Sequence, residues 1–148
     1  MSVKILVTGG TFDKEYDLIN GDLHFTETHI PGILELGRCT VDYSIRTLMM
    51  VDSLEMSETD RDVIKRNCEM AKEDNILITH GTDTITETGR YLASFDLNKT
   101  IVLTGAMVPY AFGASDALFN LGSALAFVQA LPPLSLIHIS EPTRPYWI

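Results

Sequence analysis

Four short stretches of this 148-residue chain combine hydroxyls, glycines and carboxylates in ways that could support chemistry. In Thr8-Gly9-Gly10-Thr11 the glycines allow positive φ and close approach of a ligand. The Thr11 hydroxyl is a candidate nucleophile if something accepts its proton. In His80-Gly81-Thr82-Asp83 a hydroxyl stands beside a carboxylate, a pair able to polarise a water or another hydroxyl. Asp52-Ser53 supplies a further hydroxyl, and Thr104-Gly105-Ala106-Met107 another glycine turn. Each has a plain structural alternative. Thr11 can cap a turn, Asp83 can cap a helix, Ser53 and His80 can be turn residues, and Asp52 can be solvated. Tyr16 lies in Asp13-Lys14-Glu15-Tyr16-Asp17, a polar segment without periodicity. It is a candidate lid tyrosine, able to relay protons or exclude water, or else an ordinary half-exposed side chain. His24, His29, His80 and His138 have no metal-ligand spacing, and no GxGxxG, GxxxxGK[ST] or GxSxG is present.

These stretches matter because of what precedes them. Val3-Lys4-Ile5-Leu6-Val7, Ile76-Leu77-Ile78-Thr79 and Thr100-Ile101-Val102-Leu103-Thr104 are short, β-branched, nearly continuous apolar runs, each closed by a glycine turn. Such runs predict strands of a parallel sheet covered on both faces. Thr40 to Val51 alternates and predicts a strand ending at Asp52-Ser53. Helices are predicted between them: a short one over Ile30 to Gly37, one capped by Ser57 with an acidic first turn, one from Asp83 or Thr84, and one from Ser115-Asp116 to Ala130, stopped by Pro132-Pro133. The last is apolar nearly all round, which predicts deep burial or a subunit interface. The order predicts a three-layer, doubly wound, mostly parallel α/β fold of flavodoxin-like type, with helices on both faces. Ligands in such sheets sit beyond the carboxyl ends of the strands, where all four chemical stretches fall.

The chain has 11 Lys and Arg against 20 Asp and Glu, a formal net charge of −9. That argues against nucleic acid and against an anionic membrane surface as partners. No run approaches the ~18 apolar residues of a membrane span. Cys39 and Cys68 form no framework and read as buried free thiols. The short apolar start leads straight into a glycine turn, unlike a secretion signal, and cytoplasmic residence is expected.

Taken together, Thr8-Gly9-Gly10-Thr11-Phe12, His80 to Thr88 and Thr104-Gly105-Ala106-Met107 resemble the bacterial-type L-asparaginases. Asp52-Ser53-Leu54-Glu55-Met56 is similar to that family's substrate-carboxylate loop. Ser115-Asp116-Ala117-Leu118-Phe119-Asn120-Leu121 resembles the helix start that follows. The resemblance runs from about Val3 to Pro132 and implies the family's N-terminal domain over residues 1–133. It implies hydrolysis of asparagine, with glutamine as the second candidate, to the acid and ammonia, without metal or organic cofactor. By residue match, Thr11 would be the nucleophile and Tyr16 the lid tyrosine, with Thr82 and Asp83 forming the second catalytic group. Gly10, Asp52, Ser53, Gly81, Thr82, Asp83, Ala106 and Met107 would surround the substrate. A homo-oligomer, dimer or tetramer, is also implied.

The chain departs from the family in three respects. The resemblance leads to the expectation that the family's smaller C-terminal domain lies outside these 148 residues, and that its lysine partner of the second threonine and aspartate lies after the matched stretch. Lys99, the last lysine, precedes the final matched strand. Residues 134–148 do not resemble the family. Leu134 to Arg144 resembles the translation of a sequencing adapter and is set aside as a non-native tail, although Leu134, Leu136, Ile137 and Ile139 are spaced as a further strand could be. Two other functions compete: an asparaginase-like domain that binds small amino acids without turnover, and a flavodoxin-like nucleotide or flavin binder. The latter lacks a cation in its glycine turn, Lys14 being the first nearby.

Overall fold

The computed structural model describes residues 1–132 and the backbone of residues 136–140. Strand β1 (Ser2–Gly9) lies between β4 (Asp42–Val51) and β5 (Asn75–Thr79); β6 (Thr100–Thr104) and β7 (Leu136–Ser140) follow. The sheet order is β4-β1-β5-β6-β7, and all pairings are parallel. The apolar runs become interior strands because side chains of alternate parity enter different cores. Val3, Ile5, Val7, Leu77 and Val102 pack with α1 (Ile30–Leu36) and α4 (Ala117–Ala130). Leu6, Ile76, Ile78, Ile101 and Leu103 pack with α2 (Glu58–Met70) and α3 (Ile85–Ala93). Each interior strand thus buries both faces, as its continuous apolar run requires. The three-layer doubly wound expectation holds.

Local signals in the sequence explain the helix starts. Ser57 Oγ accepts the Asp60 N–H (3.2 Å) while Asp60 accepts the Ser57 N–H (2.9 Å), a reciprocal capping box at the head of α2. Helix α3 begins after Thr84, and no side chain caps it. Asp83 is therefore not its cap. Helix α4 buries Ala117, Leu121, Ala124 and Val128 but leaves Phe119 77% exposed, with Leu118 and Phe127 also in solvent. The prediction of deep burial holds for one face only.

The segment Asp13 to Asp17 departs further from expectation. Its residues 14–17 form β2 (Lys14–Asp17), paired antiparallel with β3 (Asp22–Phe25) in a separate hairpin. Polar residues suffice because the turn holds itself. The Asp17 carboxylate accepts the N–H groups of Ile19 (2.8 Å) and Asn20 (3.2 Å), and Gly21 takes φ 73°. In the tail, the backbone of Leu136–Ser140 pairs with β6 as the edge strand that the spacing permits. Residues 133–135 and 141–148, Trp147 among them, lie outside the described residues.

Candidate active site

From β1 the chain crosses to β4 on one side, then returns to β5 on the other. The carboxyl ends of β1 and β5 therefore flank a topological switch point, where an open α/β sheet leaves a crevice. The turns after β1, β4, β5 and β6 meet there. Gly10 donates its N–H to Val51 O (3.0 Å), tying the first turn to the end of β4. Its φ is 78°, and a Cβ at Gly10 would fall 2.5 Å from the Gly81 nitrogen. A Cβ at Gly81 would fall 2.6 Å from Ser53 Oγ. Both positions therefore exclude any side chain, and the glycines are the contact surfaces by which three turns pack. The turn after β6 joins through the His80 N–H, which donates to Thr104 O at 2.9 Å.

Thr11 opens a 3-10 turn, Thr11–Asp13, and is partly exposed. Its hydroxyl has no hydrogen-bond partner among the described residues, which leaves it open to a ligand. Ser53 is 1% exposed. Its Oγ accepts the Thr84 N–H (3.3 Å), and Thr84 Oγ1 donates to Ser53 O (2.8 Å). The β4 turn and the start of α3 are thus one unit. Thr82 Oγ1 points to Met107 Sδ at 3.7 Å; Asp83 is exposed, Ala106 buried and Met107 44% exposed. Asp116 sets the β6 turn, its carboxylate accepting the N–H groups of Met107 (2.9 Å) and Val108 (3.0 Å). Asn120 Nδ2 adds a bond to Gly105 O (2.9 Å).

Asp52 is not simply solvated. Lys14 Nζ lies 2.7 Å from its Oδ2, and Leu54 N–H donates to Oδ1 at 3.1 Å. The Lys14 bond holds the Asp52 carboxyl below its ordinary range, aided by the Leu54 amide. This pair fastens the hairpin to the β4 turn. On the other side Tyr16, 51% exposed, meets Phe112 edge to face at 6.4 Å between ring centres. Hairpin β2–β3 therefore leans on the turns after both β4 and β6. With Lys14 committed to Asp52, no free Lys or Arg among the described residues stands in the glycine turn to meet a phosphate, which weakens the nucleotide alternative.

Two functional-looking residues escaped the sequence reading. His80, read as a turn residue, is fully buried. Its Nδ1 lies 2.7 Å from Gly81 O; a carbonyl only accepts, so Nδ1 carries the proton. Nε2 then accepts from the Thr88 hydroxyl (2.7 Å), which in turn accepts from Arg61 Nε (3.0 Å). Burial pushes the imidazole pKa down to about 4, against the Gly81 bond, so His80 is neutral near pH 7. Asp13, next to the Thr11 turn, is also fully buried. Its Oδ1 accepts the His29 N–H (2.8 Å) and ties that turn to the head of α1. Its Oδ2 has no hydrogen-bond partner among the described residues, and burial raises its carboxyl above the ordinary range. The sequence offered one pointer to His80, its place between a β strand and Gly81. It offered none for Asp13.

A family model described as the N-terminal domain of asparaginase matches residues 2–133. The chain belongs to the asparaginase family. Over 160 aligned residues it is 28% identical to L-asparaginase 1 of Escherichia coli, covering 98% of this chain and 45% of that protein. A glutaminase-asparaginase of Pseudomonas fluorescens is 30% identical over 138 residues, 84% of this chain and 37% of that protein. The solved thermostable L-asparaginase of Thermococcus kodakarensis superposes with a TM-score of 0.80 at 30% identity, covering 95% of this chain and 44% of that one. This asparaginase-family chain therefore spans less than half the length of these relatives. No helix among its described residues is long and apolar enough to cross a membrane.

Proposed function

We propose that this asparaginase-family domain is an amidohydrolase acting on the side-chain amide of asparagine through Thr11. The observation that carries this reading is the Thr11 hydroxyl, unpartnered among the described residues and set where four turns converge. In the reaction, Thr11 Oγ bonds to the amide carbon as its proton passes to a neighbouring acceptor. The C–N bond breaks and nitrogen leaves as ammonia after gaining a proton. Water then attacks the acyl ester, releasing aspartate and restoring the hydroxyl. Tyr16 and the Thr82–Asp83 pair are the candidate proton carriers. N–H groups of the Gly10 and Gly81 turns are candidates to stabilise the oxyanion. Ser53 and Asp83 would hold the substrate's α-carboxylate and α-amine, with Ala106 and Met107 on the wall.

The relatives include proteins named for asparagine and for glutamine, and one methylene changes discrimination by only ~1–3 kcal/mol. Asparagine is the primary substrate of this reading. Residues 134–148 are proposed as a tail outside the family domain, whose model ends at residue 133. A second reading, binding without turnover, draws support from Lys99. Its Nζ donates to Ala71 O (2.8 Å) and Glu73 O (2.9 Å), so it is engaged before β5 and is not a partner for the Thr82–Asp83 pair that follows β5. Ammonia release from asparagine by the purified chain tests the proposal, with Thr11→Ala as control. Release abolished in that variant supports it. No release, with calorimetric binding of aspartate, transfers support to the second reading.

A further inference from the structure

Away from the glycine turns, near the start of β1, Lys4, Arg46 and Lys72 line a cavity of about 230 Å³ whose wall also includes Asn67 and Glu73. The topology brings these cations together. In the β1–β4 register Lys4 stands opposite Ser44 and Leu6 opposite Arg46. Leu6 packs in the core beneath α2, so Lys4, Ser44 and Arg46 share the α2 face of the sheet. Lys72 comes from the connection that follows α2. Three elements thus each bring one positive charge to one concavity.

Five of the ten described Lys and Arg side chains, Lys4, Arg38, Arg46, Lys72 and Arg90, reach no carboxylate among the described residues, and three of those five meet in this cavity. Lys14, Arg61, Lys65, Arg66 and Lys99 each reach a carboxylate. Lys4, Arg46 and Lys72 reach none among the described residues, although the chain carries a net charge of −9 and carboxylates are plentiful. The one carboxylate in the wall, Glu73, accepts a hydrogen bond from Ser44 Oγ at 3.3 Å. The carboxyl end of α2 would ordinarily present negative carbonyls here. Just beyond that end Lys99 Nζ donates to Ala71 O and Glu73 O, adding a cation where the chain leaves the helix. The cavity therefore holds an excess of positive charge, and like charges gathered this closely repel until an anion joins them.

We propose that this cavity binds a phosphate-type dianion, either free phosphate or the phosphate group of a small ester. Arg46 supplies the fork that matches two phosphate oxygens, and Lys4 and Lys72 supply point charges. The cavity is larger than a bare phosphate needs, leaving space for the organic part of an ester. The proposal stands independently of the asparaginase chemistry.

The test is an amide-resonance titration of the full chain with inorganic phosphate and, separately, with glycerol 3-phosphate, ionic strength being held constant with chloride. Saturable shifts centred on Lys4, Arg46 and Lys72 are expected, and the tighter arm identifies the source. Arg46→Ala and Lys72→Ala, both at exposed positions, are expected to keep the fold and weaken binding about tenfold or more. No saturable shift in either arm would overturn the proposal. So would shifts that survive both substitutions, or shifts equally large at Arg38 and Arg90.

Discussion

At Thr11 and His80 the same strand-end geometry produces opposite demands on a polar side chain. Thr11 is partly exposed and its hydroxyl has no hydrogen-bond partner among the described residues, so the fold invests little in it. Thr11→Ala is expected to change stability by less than about 0.5 kcal/mol while abolishing ammonia release; unfolding curves and a coupled ammonia assay check the two halves. His80 is the reverse, buried and satisfied on both ring nitrogens. Its folded pKa of about 4 lies below the ordinary 6.5, so between those values the unfolded chain binds a proton that the folded chain does not. Stability contributed by neutral His80 is present above pH 6.5 and declines as pH falls towards 4, by up to about 3 kcal/mol. His80→Gln, with an amide able to donate to Gly81 O, is expected to flatten that limb, measured as the denaturation midpoint against pH. Buried Asp13 acts with the opposite sign. Its raised carboxyl pKa gives the folded state the extra proton as pH falls, partly offsetting the loss. An acid limb equally steep in His80→Gln would assign the loss to other groups.

Among the elements, those that could be read from the sequence were the ones whose own residues specify them. β1, β5 and β6 are legible because an interior parallel strand must be apolar on both faces, and α2 because Ser57 and Asp60 cap each other through local contacts. The hairpin β2–β3 was missed because its residues are polar or exposed and its anchors lie far along the chain. Lys14 reaches Asp52 and Tyr16 reaches Phe112. The Asn20-Gly21 turn was its one local sign. The site was legible as a set of glycine and hydroxyl turns, since glycine is forced wherever Gly10 and Gly81 touch neighbours. What was not legible is the support behind them, because His80 reaches Thr88, Asp13 reaches His29 and Asp116 reaches Val108, contacts spanning 8 to 16 residues. Asp116 gives the clearest expected effect at this scale. It accepts two consecutive amides of the β6 turn and a bond from Asn120 Nδ2. Asp116→Ala is expected to cost about 1 kcal/mol by removing the acceptor of those amides, Asn120 Nδ2 keeping its bond to Gly105 O. Asp116→Asn, which keeps one acceptor oxygen, is expected to recover part of it in the same denaturant titration.

For the whole molecule, the outer face of α4 is the surface at which self-association is expected. Leu118, Phe119 and Phe127 are exposed at 44%, 77% and 41%, on a helix with no charged residue between Ala117 and Ala130. The neighbouring concavity, about 450 Å³ between α1, the segment before β4 and α4, is lined by Ile33, Leu34, Val41, Leu121 and Leu125. Exposed apolar surface of this kind costs free energy in water, at roughly 25 cal/mol per Å², until something covers it. A second copy of the chain is the expected cover, most simply in a two-fold pairing of the same surface on both copies. Phe119 is the discriminating position: it is the most exposed apolar residue of α4 and sits outside the core, so Phe119→Glu places a charge on the patch without disturbing the fold. Sedimentation of the parent chain is expected to show a dimer or larger species whose population grows with concentration. Phe119→Glu is expected to shift it towards monomer with the same unfolding midpoint at low concentration. A parent chain that sediments as a monomer at every concentration would refute self-association through this helix. If open-ended aggregates formed in place of a closed species, the contact between copies would be head to tail rather than two-fold.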